Sequence, residues 1–191
     1  MDWGYLRNGV VLWGVALPDG HFHIEREWVF KETLAIDAAA RILQLCPPTT
    51  VHADPSMWIR DGQTGESIAE TLNRCGVPLY RANHERINGW QRVRHWLRPS
   101  PTGQPWLTIS PNCPYLIRTL PSLIQDDTRL EDIDTTGDDH AADALRYLLM
   151  SRPAPLISGK PEAPKDTAGA LLREAMQAQR QGVLGSANVR F

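Results

Sequence analysis

The sequence predicts an α/β fold, a mixed central sheet flanked by helices and followed by a flexible C-terminal tail. Three observations carry that expectation. Two strand-length segments flank the turn residues Pro18-Asp19-Gly20 near the N-terminus. Short strand-like runs then alternate with segments of helical period, the order that builds crossover connections. Past Arg152-Pro153 the composition shifts to proline and charge, which reads as linker.

The elements follow in order. Val10 to Leu17 is an apolar run, and His21 to Phe30 alternates apolar with polar residues, so 10–30 reads as a β-hairpin. Residues 33–45 have helical spacing (Leu34, Ile36, Ala38, Ala39, Ile42, Leu43), with Thr33 as the expected cap and Pro47-Pro48 as the stop. Thr50 to Asp54 is a short strand, and Pro55 holds Asp54 extended at its tip. Residues 65–75 read as a helix closed by Gly76, and Val77 to Tyr80 as a strand. A helix over Ile87–Leu97, a strand over Trp106–Ile109, a short helix to Leu120 and an acidic loop over Asp126–Asp138 come next. A helix from Asp139 to Met150 completes a first domain over 1–152. The remainder, 153–191, reads as a Pro-rich linker to residue 166, a lone helix over Thr167–Gln181 and a frayed end.

Composition narrows the function classes. Of 191 residues, 42% are hydrophobic, enough to build a core. No apolar run is long enough to span a membrane, and Met1-Asp2-Trp3-Gly4 lacks the basic and apolar regions of a signal peptide. Cys46, Cys75 and Cys113 are odd in number and widely spaced, the pattern of reduced thiols in a cytosolic protein. The formal net charge of -2 argues against nonspecific coating of DNA, although arginine, a good fork for phosphate, outnumbers lysine 17 to 3.

Three acids stand at meaningful places. Asp2 precedes the hairpin, Asp54 ends a strand, and Asp143 lies within Asp138-Asp139-His140-Ala141-Ala142-Asp143-Ala144-Leu145-Arg146-Tyr147. Alone, Asp2 reads as a solvated terminal acid and Asp54 as a turn residue. Together, a carboxylate at a strand tip, another beside an adjacent strand and a third on a covering helix converge on one point. Their repulsion calls for cations, and oxygen ligands favour Mg²⁺ or Mn²⁺. Two such ions support phosphodiester hydrolysis. His140 shares a helix face with Asp143, which brings it to the metal shell as well. Asp138 and Asp139 read as capping acids, with Asp139 alternatively a ligand.

The segment 81–98 carries Arg81, His84, Arg86, Arg92, Arg94, His95 and Arg98 around Trp90 and Trp96, with Glu85 as its one acid. Arg81, Arg86, Arg92 and Arg94 are the expected DNA contacts. The tryptophans sit at core spacing, with Trp90, Val93 and Leu97 facing inward.

Taken in order, Asp2-Trp3-Gly4-Tyr5, the hairpin with its Pro18-Asp19-Gly20 turn, Ala53-Asp54-Pro55-Ser56 and Asp139-His140-Ala141-Ala142-Asp143-Ala144-Leu145-Arg146-Tyr147 resemble the nuclease domain of tailed-bacteriophage large terminases. The resemblance spans roughly 1–152. It implies a ribonuclease H-like fold and an endonuclease that cuts concatemeric double-stranded viral DNA with two Mg²⁺ or Mn²⁺ ions. On it, Asp2, Asp54 and Asp143 become the catalytic, metal-holding acids, with His140 beside them. It further implies a terminase ATPase domain and small subunit as partners, the portal or procapsid reached through the C-terminal tail, and the cytoplasm of a bacterial host. Two departures are visible. The phosphate loop of an ATPase is missing, since Gly159-Lys160-Pro161 does not make one. In the family the first acid closes a central strand, whereas Met1 alone precedes Asp2 here. The competing expectations are a Holliday-junction-type resolvase of the same fold and an inactive truncated remnant that only binds DNA or packaging proteins.

Overall fold

The computed structural model describes residues 1–101, 103–153 and 155. The expected linker (153–166, apart from Pro153 and Pro155) and the expected helix over Thr167–Gln181 lie outside the described residues. Among those described, no helix is long and apolar enough to cross a membrane.

The hairpin forms as its alternation requires. Strand β1 (Gly9–Ala16) pairs antiparallel with β2 (Phe22–Phe30), with a register shift between Trp13 and Gly14. Gly20 takes φ 89° in the connecting turn, a conformation open to glycine and costly for most other residues. Strand β3 (Val51–Ala53) pairs parallel with β4 (Leu79–Arg81), and β5 (Leu107–Ile109) adds parallel to β2. The β structure is therefore a three-stranded sheet in the order β1-β2-β5 and a two-stranded sheet β3-β4. Met1 and Asp2 tie them together. Asp2 exchanges both backbone hydrogen bonds with Val10, while Met1 bonds His52 and Asp54 around β3.

Helices cover both faces. They are α1 (Ala35–Leu45), α2 (Ile68–Arg74), α3 (Arg86–Leu97), α4 (Pro114–Thr119) and α5 (His140–Met150). Period-2 geometry sends Val10 and Leu12 of β1 into one core with residues of α3, α4 and α5. It sends Val11 into a second core with α1, α2, β3, β4 and Met1. Both cores are apolar and closely built. The first holds Phe22, Trp90, Trp96, Leu116, Leu145 and Leu149, and the second Ile42, Met57, Leu72 and Val77.

Local details correct several sequence expectations. Helix α1 begins at Ala35 after Leu34 and has no side-chain cap; the Thr33 hydroxyl donates to the Lys31 carbonyl instead. Leu34 and Ile36 are exposed, because the inward face runs through Ala38, Ala39 and Ile42. Helix α2 starts at Ile68 rather than 65, behind a capping box in which Ser67 and Glu70 satisfy each other's backbone N–H. Gly76 follows it with φ 93°, as expected of a C-terminal stop. On α3 the inward residues are Trp90, Val93 and Trp96, whereas Leu97 at the helix end is exposed.

Candidate active site

The short Met1-Asp2 rung fixes two of the three acids side by side. The Met1 carbonyl accepts from the Asp54 N–H at 3.2 Å, and Asp2 follows directly, paired with Val10 at 2.9 Å in both directions. Helix α5 packs on β1 and β3, bringing His140, Asp143 and Tyr147 over this point. Each acid then meets its own donor. Asp2 Oδ2 lies 3.0 Å from His140 Nδ1. Asp143 Oδ1 accepts from Arg146 Nε at 3.0 Å, and Arg86 Nη1 stands 3.7 Å from Oδ2. Asp54 Oδ1 accepts from the Ser56 N–H at 2.7 Å, and its Oδ2 accepts from the Tyr147 hydroxyl at 3.1 Å.

An open cavity of about 580 Å³ is lined by Asp2, Asp139, His140 and Asp143 together with Trp3 to Arg7 and Thr135. Asp54 is not part of that lining and joins the cluster from the β3 side through Tyr147. Asp139 occupies the N-cap position of α5, but its side chain makes no capping bond; its carboxylate instead lines the cavity.

Crowded negative charge marks the site. Burial raises the Asp2 carboxyl above its ordinary range; the His140 bond opposes this, and the charge of Asp143 adds to it. Burial likewise raises Asp139, with Asp143 and Asp2 pushing the same way. His140 is raised by its bond to Asp2, against the effect of burial. The Tyr147 phenol is pushed far up by burial and by the charges of Asp143, Asp54 and Asp2, so it stays protonated as a donor. These are hard oxygen donors beside one imidazole, a set whose chemistry fits Mg²⁺ or Mn²⁺. Among the described residues, no three His, Cys, Asp or Glu side chains stand together as a ready-made metal shell.

The arginines divide. Arg81 and Arg94 are exposed, and Arg92 is half-buried. Arg81 lies over the Trp58 ring at 5.3 Å. Arg86 is engaged inside the fold: its Nε bonds Asp132 at 2.9 Å, and its Nη2 donates to the Ile133 carbonyl. That arrangement corrects its expected place among solvent-facing phosphate contacts. Trp90 and Trp96 are buried, in keeping with their core spacing.

Sequence reasoning missed Asp132, Arg146 and Tyr147 as parts of the site. The i, i+3 spacing of Asp143 and Arg146 was the available signal for one of them. Asp132 was hidden in the acidic loop, yet it turns inward to accept from Arg86, Trp90 and the Ile133 N–H.

Comparison with solved structures decides the fold. The P22 large terminase nuclease domain superposes with a TM-score of 0.63 over 82% of this chain and 81% of that one, at 17% identity. The fold is that of a phage large-terminase nuclease domain. A second structure with the terminase nuclease fold is the large terminase of a thermophilic bacteriophage in complex with ATP-γ-S. It superposes with a TM-score of 0.62 at 16% identity over 78% of this chain, which spans 38% of the thermophilic phage's chain. No protein-family model and no curated protein sequence matches.

Proposed function

We propose that this chain is the nuclease part of a viral DNA-packaging terminase and hydrolyses phosphodiester bonds of concatemeric double-stranded DNA. The observation that carries this reading is the gathering of Asp2, Asp139, His140 and Asp143 on one open cavity in a terminase nuclease fold, with the Asp54 N–H bonded to Met1, the residue before Asp2. Asp2, Asp54 and Asp143 would hold two Mg²⁺ or Mn²⁺ ions, with His140 alongside. When bound, those ions would supply Lewis acidity at the scissile phosphate and would ease deprotonation of the attacking water. The chain's own residues orient the acids: His140 holds Asp2, Arg146 holds Asp143 and Tyr147 holds Asp54. The exposed arginines Arg81 and Arg94, with Arg92, would meet DNA phosphates. A terminase ATPase and small subunit, and a portal or procapsid reached through the C-terminal part, complete the proposed setting in a bacterial host's cytoplasm.

Nicking of supercoiled plasmid in Mg²⁺ or Mn²⁺ tests the proposal. Asp54→Asn keeps an oxygen acceptor for the Ser56 N–H, turns the other oxygen into an amide NH2 that can donate to the Tyr147 hydroxyl oxygen, and removes a charge, so it should abolish nicking and leave the circular dichroism spectrum unchanged. Wild-type-like cutting by this variant would sink the assignment of Asp54. A preference for four-way junctions over linear duplex would point to the resolvase, and DNA binding without any metal-dependent cutting to the inactive remnant.

A further inference from the structure

The tip of β3 carries more than Asp54. The Asp54 carbonyl accepts from the Met57 N–H at 3.1 Å and opens a short 3₁₀ turn over Pro55–Trp58. That turn buries Met57 and leaves Trp58 half-buried, packed against the second core. Strand β4 runs parallel to β3 with Arg81 opposite Ala53, and the Ala82 N–H donates to the Ala53 carbonyl at 2.9 Å. Arg81 therefore stands one strand spacing, about 4.8 Å, from the residue before Asp54. Its side chain is exposed, and its guanidinium carbon lies over the Trp58 ring. Among the described residues Arg81 forms no ion pair, whereas Arg60, two residues past Trp58, pairs with Glu70 at 2.9 Å.

A guanidinium has a face and an edge. The face stacks on aromatic rings, while the N–H groups lie in the plane and point outward from the edge. Holding Arg81 on Trp58 therefore uses the face and leaves the edge for a two-pronged, in-plane bond to a phosphate. The ring also restrains a side chain rich in rotamers, so less freedom is lost when the phosphate arrives. We propose that Trp58 is a positioning residue for DNA, holding Arg81 as a phosphate clamp at the tip of β4 beside Asp54.

This clamp rests on the nuclease reading above and gives that site a fixed point on its substrate. The acids gather around the phosphate to be cut, whereas Arg81, on the neighbouring strand, is placed for a phosphate that flanks it. The other expected contacts lack this arrangement. Arg86 faces Asp132 and Asp143 inside the fold. Among the described residues, no aromatic ring carries Arg92 or Arg94. Trp58 touches no reacting group; its effect on DNA passes through Arg81, and that dependence can be measured.

Filter binding of the full chain to linear duplex in EDTA, at several salt concentrations, tests the proposal without any cutting. Arg81→Ala should weaken binding about tenfold at low salt and reduce the salt slope by about one unit. Trp58→Leu leaves the charge in place, so it should keep the slope and weaken binding about threefold. Trp58→Phe retains a ring face and should restore most of that loss. In an Arg81→Ala background, Trp58→Leu should weaken binding no further. Arg81→Lys leaves the second core untouched and keeps the charge without the fork, so it too should keep the slope and lose about threefold. The clamp is overturned if Trp58→Leu costs the same in both backgrounds, if it moves the Tm alone, or if either Arg81 variant binds like wild type. The nuclease reading is decided separately, by metal-dependent nicking. A coupled Trp58–Arg81 pair on a chain that never cuts leaves the clamp standing, and a cutting chain with the pair uncoupled loses the clamp alone.

Discussion

Arg146 is 1% exposed and heads the large side chains that the fold buries completely. Its charge is met by Asp143, by the His84 carbonyl at 3.1 Å, and by the faces of Trp90 and Tyr147 at 5.4 and 4.7 Å. It fits because residue 89 is glycine: a Cβ there would stand 2.6 Å from Arg146 Cδ. Arg146→Met should therefore cost about 3 kcal/mol in urea unfolding, since it removes the one hydrogen-bonded cation of a largely buried carboxylate and leaves Arg86 at 3.7 Å. Gly89→Ala should destabilise by about 1–2 kcal/mol despite alanine's better helix propensity, because overpacking outweighs it. A more stable Gly89→Ala variant would refute the packing argument. The Met1 amine makes a second prediction at this scale. Its pKa is lowered by burial from the ordinary 8.0 to about 5. Between these values the unfolded chain binds more protons than the folded one, so stability rises with pH across the window and is lost as pH falls toward 5. The contribution reaches up to about 4 kcal/mol. His140, raised by Asp2, works in the opposite sense, so the clean measurement is the difference between free and N-acetylated chains from pH 5 to 8.

Among the elements, β4 and α3 together separate charge that faces solvent, at Arg81 and Arg94, from charge that holds the fold, at Arg86. Replacing Arg81, Arg92 and Arg94 by Ala should weaken DNA binding at low salt and reduce the salt slope by about one unit per lost contact. Arg86→Ala should instead lower stability, because it removes the cation from buried Asp132 and leaves it only the Trp90 and Ile133 N–H groups. Filter binding at several salt concentrations, in an Asp54→Asn background, distinguishes the two sets. An unchanged slope for the triple variant would return these arginines to an ordinary solvated surface. The hairpin, the crossover helices and the inward tryptophans were legible because alternation and helical period report burial directly. The capping box of α2 is equally present in the letters Ser67 and Glu70, but hydrophobic spacing alone places the helix start elsewhere. The rung made by Met1-Asp2 had no such signal. Its bonds are backbone to backbone, and two residues carry no period. The donors Arg146 and Tyr147 escaped for a related reason: an arginine and a tyrosine within an apolar helix read as its polar margin, whereas the fold turns Arg146 to the His84 carbonyl and Tyr147 to Asp54.

For the whole molecule, the sheet divides the interior into two cores that share strands but few side chains. Ile24 belongs to one and Ile42 to the other, and both are fully buried. Ile24→Val and Ile42→Val should each cost about 1 kcal/mol. Their sum should match the double variant within about 0.5 kcal/mol, as for distant, independent sites. A larger departure in chemical denaturation would mean that the cores respond to strain as one body.

The indole of Trp90 lies within 6 Å of two cations, with Arg86 at 5.9 Å and Arg146 at 5.4 Å, and its Nε1 donates to Asp132 at 3.0 Å. Both cations also face Asp143. Any change in the charge balance at that carboxylate alters the electric field across a buried fluorophore. Emission from Trp90, isolated by subtracting the spectrum of Trp90→Phe, therefore gives an optical signal from the charges around Asp143 that requires neither DNA nor turnover.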